Sequence, residues 1–459
     1  MRRRFFAAGV VILAACTPAS DRTSSPQAQP TQPGPAARPN VLVIVTDDQR
    51  ADTLDVMPAT RRFFGRGGTT FANAFSTTPL CCPSRASIFT GQYAHNHGVL
   101  KNRDSHDLRS RSTLQYYFRQ ETDYATGLVG KYLNSWSVDE DPPHFDRWAS
   151  YSGRYYGKPF NVNGRVTATN DYSTYFMADK AVRFLERFDR IEERPWFLYV
   201  ATVAPHPPFT ISPQYRGARL PEWERNPAIT ERALGDKPDF PPRPFDPDRP
   251  GKLRRKQLRT LLSVDDLVAR IARTLRRLGE AKDTLAIFTS DNGMLWGEHG
   301  HFAKRLPYTQ SIGVPLMVRW PGKIAPGETD DSPVGNVDIA PTIMEAAGLI
   351  PDRRYPVDGH SLLAPDDRSE IFLEQLENWR VGLPDWRSIR TTEFQYVEYY
   401  SRDGKRIIER EYYDLSRDPW QLRNLLGDRD PTNDPDFADL SDRLAQYARC
   451  ASDSCFVAR

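Results

Sequence analysis

Asn40–Thr46 (NVLVIVT) is an unbroken aliphatic and β-branched run, the pattern of a strand buried on both faces. Similar runs recur at 125–130, 196–203, 284–289 and 314–320. Between them, apolar residues fall at three- and four-residue spacing over 178–188 and 264–278, which predicts amphipathic helices. Strands alternating with helices predict an α/β fold with a mostly parallel sheet sandwiched by helices. Such open sheets hold ligands at the carboxyl ends of their strands. Polar residues stand just there: Asp47-Asp48, Lys131, His206 and Asp291-Asn292. Residues 338–347 read as a further helix closing the core. The stretch 205–255, rich in proline and charge and without periodicity, reads as a long surface insertion beside the ligand entrance. Beyond about residue 366 shorter strand-like pieces, at 393–400 and 406–414, predict a small C-terminal antiparallel α+β domain. The main domain then covers 40–365 and the small one 366–459.

The first residues change the picture. Arg2-Arg3-Arg4 precede an apolar stretch over 5–15, too short to remain a membrane span, which ends in Leu13-Ala14-Ala15-Cys16. This resembles the lipobox of bacterial lipoproteins and predicts a signal peptide over 1–15, lipidation at Cys16 and an exported, lipid-anchored chain at the cell surface or in the periplasm. Residues 16–39, rich in Pro, Ser, Gln and Ala, read as a disordered tether. The formal charge is +3, and Arg2, Arg3 and Arg4 supply an equal number of positives, so without 1–15 the chain is neutral. Neutrality gives no global basis for nucleic-acid binding; any anion selectivity must be local. In an oxidising compartment Cys450 and Cys455 are candidates for a short disulfide loop. Adjacent Cys81 and Cys82 are poorly placed to bond each other and ask for another explanation.

Two neighbouring carboxylates, Asp47 and Asp48, repel in a confined site unless a cation compensates them. With Asp291 and Asn292 they offer hard oxygen donors suited to Ca²⁺ or Mg²⁺ rather than zinc. Taken singly, such pairs are common at strand ends and turns.

Cys81-Cys82-Pro83-Ser84-Arg85-Ala86-Ser87-Ile88-Phe89-Thr90-Gly91 resembles the signature of formylglycine-dependent sulfatases, of the alkaline phosphatase superfamily. The resemblance implies that a formylglycine-generating enzyme converts Cys81 to formylglycine during maturation. Its hydrate would attack a sulfate ester and form a covalent sulfo-enzyme intermediate. The resemblance also implies Ca²⁺ held by Asp47, Asp48, Asp291, Asn292 and the modified residue 81. Arg85 lies one helical turn beyond Cys81 on the same side. Lys131 in Gly130-Lys131-Tyr132-Leu133-Asn134, His206 in Ala204-Pro205-His206-Pro207, and Lys304 match positions where the family holds the ester and protonates the leaving alcohol. Many members carry a histidine, the base that expels sulfate, where this chain has Leu133. The branch of N-acetylglucosamine-6-sulfatases and heparan endosulfatases shows a similar Gly-Lys-Tyr-Leu-Asn, Cys-Cys-Pro-Ser-Arg and His-Asn-His. By that likeness His95, His97 or His299 is expected to replace the missing base, with His95 favoured, and Asn134 and His299 are expected to touch substrate. Segments around 314–322, 338–342 and 413–425 also resemble the family's core and C-terminal blocks. The expected substrate is a sulfated small molecule or glycan of the N-acetylglucosamine-6-sulfate type. A phosphonate or phosphate ester hydrolase of the same superfamily, or a catalytically silent lipoprotein that binds sulfated glycans, are the alternatives.

Overall fold

The computed structural model describes residues 38–151, 153–190, 194–239, 246–363 and 368–455, together with Val11. The signal peptide, Cys16 and nearly all of the tether lie outside the described residues. No helix among the described residues is long and apolar enough to cross a membrane.

Ten strands form the main sheet. They are β1 (Asn40–Thr46), β2 (Thr69–Phe75), β3 (Ala125–Gly130), β4 (Arg147–Ser150), β5 (Phe160–Val162), β6 (Arg165–Thr167), β7 (Trp196–Ala201), β8 (Thr284–Ser290), β9 (Leu316–Arg319) and β10 (Thr329–Gly335). Their spatial order is β10-β2-β9-β8-β1-β7-β3-β4-β5-β6. The central run from β8 to β4 is parallel throughout, as the buried aliphatic pattern predicts. The run at 314–320 departs from that expectation: β9 lies antiparallel to both β8 and β2, so the sheet is mixed.

Helices cover both faces. The principal ones are α1 (Cys81–Thr90), α2 (Leu114–Glu121), α3 (Ser173–Arg190), α4 (Arg249–Leu278) and α5 (Ile339–Ala347), while α6 (Ala438–Tyr447) packs instead with Phe372, Ile389 and Tyr396 of the C-terminal region. Alternate residues of β1 enter opposite cores: Leu42 and Ile44 pack with α3 and α4, whereas Val41, Val43 and Val45 pack with α1, α2 and α5. The proline- and charge-rich stretch 205–255 is irregular only in part, since α4 begins at Arg249 with Pro250 in its first turn, where a missing N–H costs nothing.

A separate four-stranded antiparallel sheet follows, built from β11 (Glu370–Gln375), β12 (Asp385–Thr391), β13 (Phe394–Tyr400) and β14 (Ile407–Asp414). Phe75, Leu295, Tyr308 and Ile312 share an apolar cluster with Ile371, Leu373 and Trp386 of this sheet. Cys450 and Cys455 form a disulfide beside α6.

Candidate active site

The register of the parallel strands assembles the site. Thr46 pairs with Ser290, Val45 with Ala201, and Gly130 with Ala201, so β8, β1, β7 and β3 end at one level. Backbone bonding continues past those ends, from Asp291 N–H to Thr46 O at 3.0 Å and from Lys131 N–H to Ala201 O at 2.9 Å. Asp291 and Asp47 therefore leave adjacent strands side by side, and Lys131 leaves β3 at the same level, across β7 from Asp47. Gly130 permits the close approach: its φ is +102°, and a Cβ there would sit 2.0 Å from Ala201 O. Asp48 turns the chain with φ +68°, unusual for a residue with a side chain, and its N–H is held by Asp291 Oδ1 at 3.1 Å.

Helix α1 enters this edge with all ten residues buried. Cys81 Sγ lies 3.5 Å from Asp47 Oδ1 and 2.8 Å from Lys304 Nζ. One turn later Arg85 reaches back. Its Nε donates to Asp291 Oδ2 at 2.8 Å and its Nη1 to the Lys131 carbonyl at 3.1 Å, while Nη2 pairs with Asp291 and lies 3.4 Å from Asp47. The first turn offers fewer free donors than a helix start normally does. The Cys82 N–H is taken by Asn102 Oδ1 at 3.0 Å, and Pro83 has none. Cys81 and Cys82 are both buried free thiols, unpaired with each other.

Lys131 Nζ donates to Asp47 Oδ2 at 2.5 Å; Lys304 pairs with Asp48 and lies 3.4 Å from Asn292 Oδ1; Asn292 Nδ2 donates to Asp48 Oδ1 at 2.6 Å. His206 Nε2 stands 3.8 Å from Asp48 Oδ2. Three buried carboxylates thus face three permanent cations. Burial alone would raise the Asp47 carboxyl, but Lys131, His206, Arg85 and Lys304 outweigh it and hold it far below the usual carboxylate range. Asp291 is pushed the other way by burial and by Asp47. Burial disfavours charge on Lys131 and Lys304, yet Asp47 and Asp48 respectively keep both ammonium groups protonated above the ordinary lysine value. The Cys81 thiol is raised by burial and then by Asp291 and Asp47.

The donor set fits a hard divalent cation. Asp47, Asp48, Cys81 and His206 each place a ligand atom within 4.8 Å of the others, and Asp291 and Asn292 bond directly to Asp48. Carboxylate and amide oxygens in that number suit an oxygen-loving ion.

Three expected histidines lie elsewhere. His95 binds Glu374 Oε1 through Nδ1 at 2.8 Å and the Cys450 carbonyl through Nε2 at 3.1 Å. Both ring nitrogens are committed to the C-terminal region, so the structure corrects its expected role as the base. His97 contacts Ser87 Oγ at 3.1 Å, and burial lowers its pKa to about 3. His299 is 1% exposed, bonds Glu231 Oε2 through Nδ1 at 2.6 Å and packs on Tyr308. It braces the segment that delivers Lys304 instead of lining the site as a substrate contact. Asn134 is half-buried. Leu133 is in the core.

Gln257 and Trp296 carried no signal in the sequence. From α4, Gln257 Nε2 donates to Asp48 O at 3.0 Å and to Pro205 O at 3.3 Å, and its Oε1 accepts from Trp296 Nε1 at 2.5 Å. One buried amide therefore ties the loop of Asp48 to the loop of His206.

A mixed α/β sheet that gathers oxygen donors, cations and a helix-borne Cys81 at the carboxyl ends of four parallel strands defines a metal-assisted hydrolase of anionic esters. The model of the sulfatase family matches residues 39–349, and that of the N-sulphoglucosamine sulphohydrolase C-terminal region matches 297–449. The chain belongs to the sulfatase family, whose members are sulfuric ester hydrolases dependent on a metal. It is 30% identical to human (Homo sapiens) N-acetylglucosamine-6-sulfatase over 91% of this chain and 86% of that one. It is 33% identical to the extracellular sulfatase SULF-1 homolog of Drosophila melanogaster over 71% of this chain. It spans only 31% of that relative, and 51% of the corresponding Caenorhabditis elegans protein. A protein solved in complex with its substrate D-glucosamine-2-N,6-O-disulfate superposes with a TM-score of 0.72 at 24% identity, over 90% of this chain and 97% of that one.

Proposed function

We propose that this chain hydrolyses sulfate esters of sulfated glycosaminoglycan sugars of the N-acetylglucosamine-6-sulfate type, with Cys81 converted to formylglycine and Ca²⁺ as the metal. The observation that carries the reading is the seat of Cys81 at the buried start of α1, between Asp47 and Lys304. The substrate class is taken from the likeness to N-acetylglucosamine-6-sulfatases over most of both chains.

Asp47, Asp48, Asp291 and Asn292 would hold the ion, which when bound supplies Lewis acidity toward a sulfate oxygen. The rest falls to the chain's own groups. Arg85 fixes Asp291 and the Lys131 carbonyl, so the acids keep their spacing. Lys131 and Lys304, held protonated, stand where negative charge gathers on the sulfuryl group. One hydroxyl of the hydrated aldehyde attacks sulfur, and the departing alcohol takes a proton from His206 or Lys304. Loss of the proton from the second hydroxyl re-forms the aldehyde and releases sulfate. Of the histidines, His206 is the one within reach of Asp48 and Cys81 among the described residues. It is therefore the imidazole placed to move protons. A simple alcohol nucleophile would stop at the first step, because its sulfate ester is itself resistant.

Export and a lipid anchor at Cys16 are part of the proposal, resting on the basic, apolar and lipobox-like order of residues 2–16. A panel of sulfated monosaccharides, aryl sulfates and the matching phosphate esters tests the activity. The reading requires sulfate release from 6-sulfated glucosamines. Turnover of other esters with none of these rejects the substrate class, and preference for phosphate esters rejects the sulfatase reading.

A further inference from the structure

Between residues 217–225 and the first turns of α4 lies a cavity of about 490 Å³. Arg219, Arg225, Arg254, Arg255 and Arg259 line it together with Trp223, and among the described residues no acidic one does. Arginines elsewhere are commonly neutralised: Arg50, Arg85, Arg270, Arg368 and Arg443 all pair with carboxylates. None of the five has an ion pair among the described residues. Arg254 donates to the Pro221 carbonyl at 3.2 Å and Arg259 to the Ala218 carbonyl at 3.2 Å, contacts that orient the guanidinium groups without cancelling their charge. Arg254 also lies over the Trp223 ring, 5.3 Å from its centroid, and Arg225 at 6.0 Å. Five like charges around one cavity repel each other, so the arrangement favours an anion.

We infer that this cavity is a binding subsite for the sulfate and carboxylate groups of a longer anionic glycan whose end is processed at Cys81. Guanidinium groups match the forked oxygens of sulfate and carboxylate, and an indole offers an apolar face to the C–H surface of a pyranose. The cavity also lies close to the catalytic acids. Trp223 packs edge-on against Trp296 at 5.8 Å, Trp296 bonds Gln257, and Gln257 bonds the Asp48 carbonyl. Two side chains thus separate its wall from the metal-binding turn. A glycan spanning both sites gains effective concentration that a monosaccharide does not. The inference rests on the proposed sulfated-sugar activity, and the test separates the two.

The double variant Arg219→Ser/Arg255→Ser alters two exposed positions, so folding is not at stake; Arg402→Ser, an exposed arginine in a turn of the C-terminal sheet, controls for general loss of positive charge. Binding of a heparin octasaccharide is measured by calorimetry in a Cys81→Ser background, which cannot turn over. Kinetics are measured with active enzyme on a 6-sulfated glucosamine monosaccharide. The expected result is about a tenfold higher Kd for the octasaccharide with a shallower salt dependence, while monosaccharide kcat/KM stays within twofold and Arg402→Ser binds like the parent. Unchanged octasaccharide affinity, or an equal loss in Arg402→Ser, overturns the subsite. Lack of monosaccharide turnover with arginine-dependent binding intact would sink the proposed activity and leave the subsite standing.

Discussion

Replacing Gln257 by glutamate exchanges one NH₂ for an oxygen and removes the donor that joins two loops of the site. In the parent, Nε2 serves the carbonyls of Asp48 and Pro205, while Oε1 serves Trp296. The carboxyl group introduced must either ionise against two carbonyl oxygens or stay protonated with a single O–H to share. In the milder case one buried carbonyl loses its partner, a cost of about 1–3 kcal/mol; an ionised carboxylate in that position costs several more. Stability should therefore fall by about 2–4 kcal/mol, visible as a lower urea midpoint at unchanged slope. The loops released carry Asp48 and His206, and misplacement on the order of 1 Å costs about a hundredfold in rate. Gln257→Glu is expected to lower kcat by roughly 30- to 100-fold in the folded enzyme, with KM changing much less. Urea titration and steady-state kinetics under conditions where the variant is fully folded read the two effects separately. If kcat stays within twofold of the parent, Gln257 does not position the site. A destabilised variant with full kcat would reduce it to a packing residue.

Arg85→Lys keeps the charge but cannot reach Asp291 and the Lys131 carbonyl together, so kcat/KM should fall at least about a hundredfold; retention within tenfold would show that charge alone suffices. His95→Ala should leave single-turnover sulfate release unchanged and cost about 1–3 kcal/mol of stability, since its partners are Glu374 and the Cys450 carbonyl. Burial pulls the His95 pKa down, but Glu374 and the Cys450 carbonyl raise it above 6.5. Its contribution is accordingly complete below 6.5 and lost as pH climbs through the raised value. Glu374, lowered from 4.5 against its burial by His95, contributes above 4.5 and loses that contribution as pH falls through its lowered value. The stability gap between parent and His95→Ala should thus be widest between 4.5 and 6.5, and a gap that grows above neutrality would contradict the assignment. Chelation should abolish turnover and lower the melting temperature, with both restored by Ca²⁺; full activity in chelator would exclude the metal site built on Asp47 and Asp48.

Much of this was readable from the chain because strand ends are local. A residue directly after a buried strand has its direction and level set by the sheet, so Asp47, Lys131 and Asp291 converge once β8, β1, β7 and β3 are recognised as consecutive parallel strands of one sheet. Arg85 followed from helical periodicity. What stayed hidden depends on partners far away in sequence. Gln257 looks like any polar residue of an amphipathic helix until Asp48, 209 residues distant, is found against it. His95 looks catalytic in a His-Asn-His string until Glu374, 279 residues on, occupies its Nδ1. The direction of β9 was equally opaque, since a buried aliphatic run carries no mark of parallel or antiparallel pairing. The basic cavity is not legible in the sequence because its arginines come from two separate segments, 217–225 and 251–259, that only folding brings together.

Peptide mass spectrometry of the mature protein, with thiols alkylated before digestion, tests the central claim most directly. The account predicts an aldehyde at position 81, refractory to alkylation, beside an intact alkylated thiol at Cys82. An alkylated Cys81 in a preparation that releases sulfate from its substrate would contradict it.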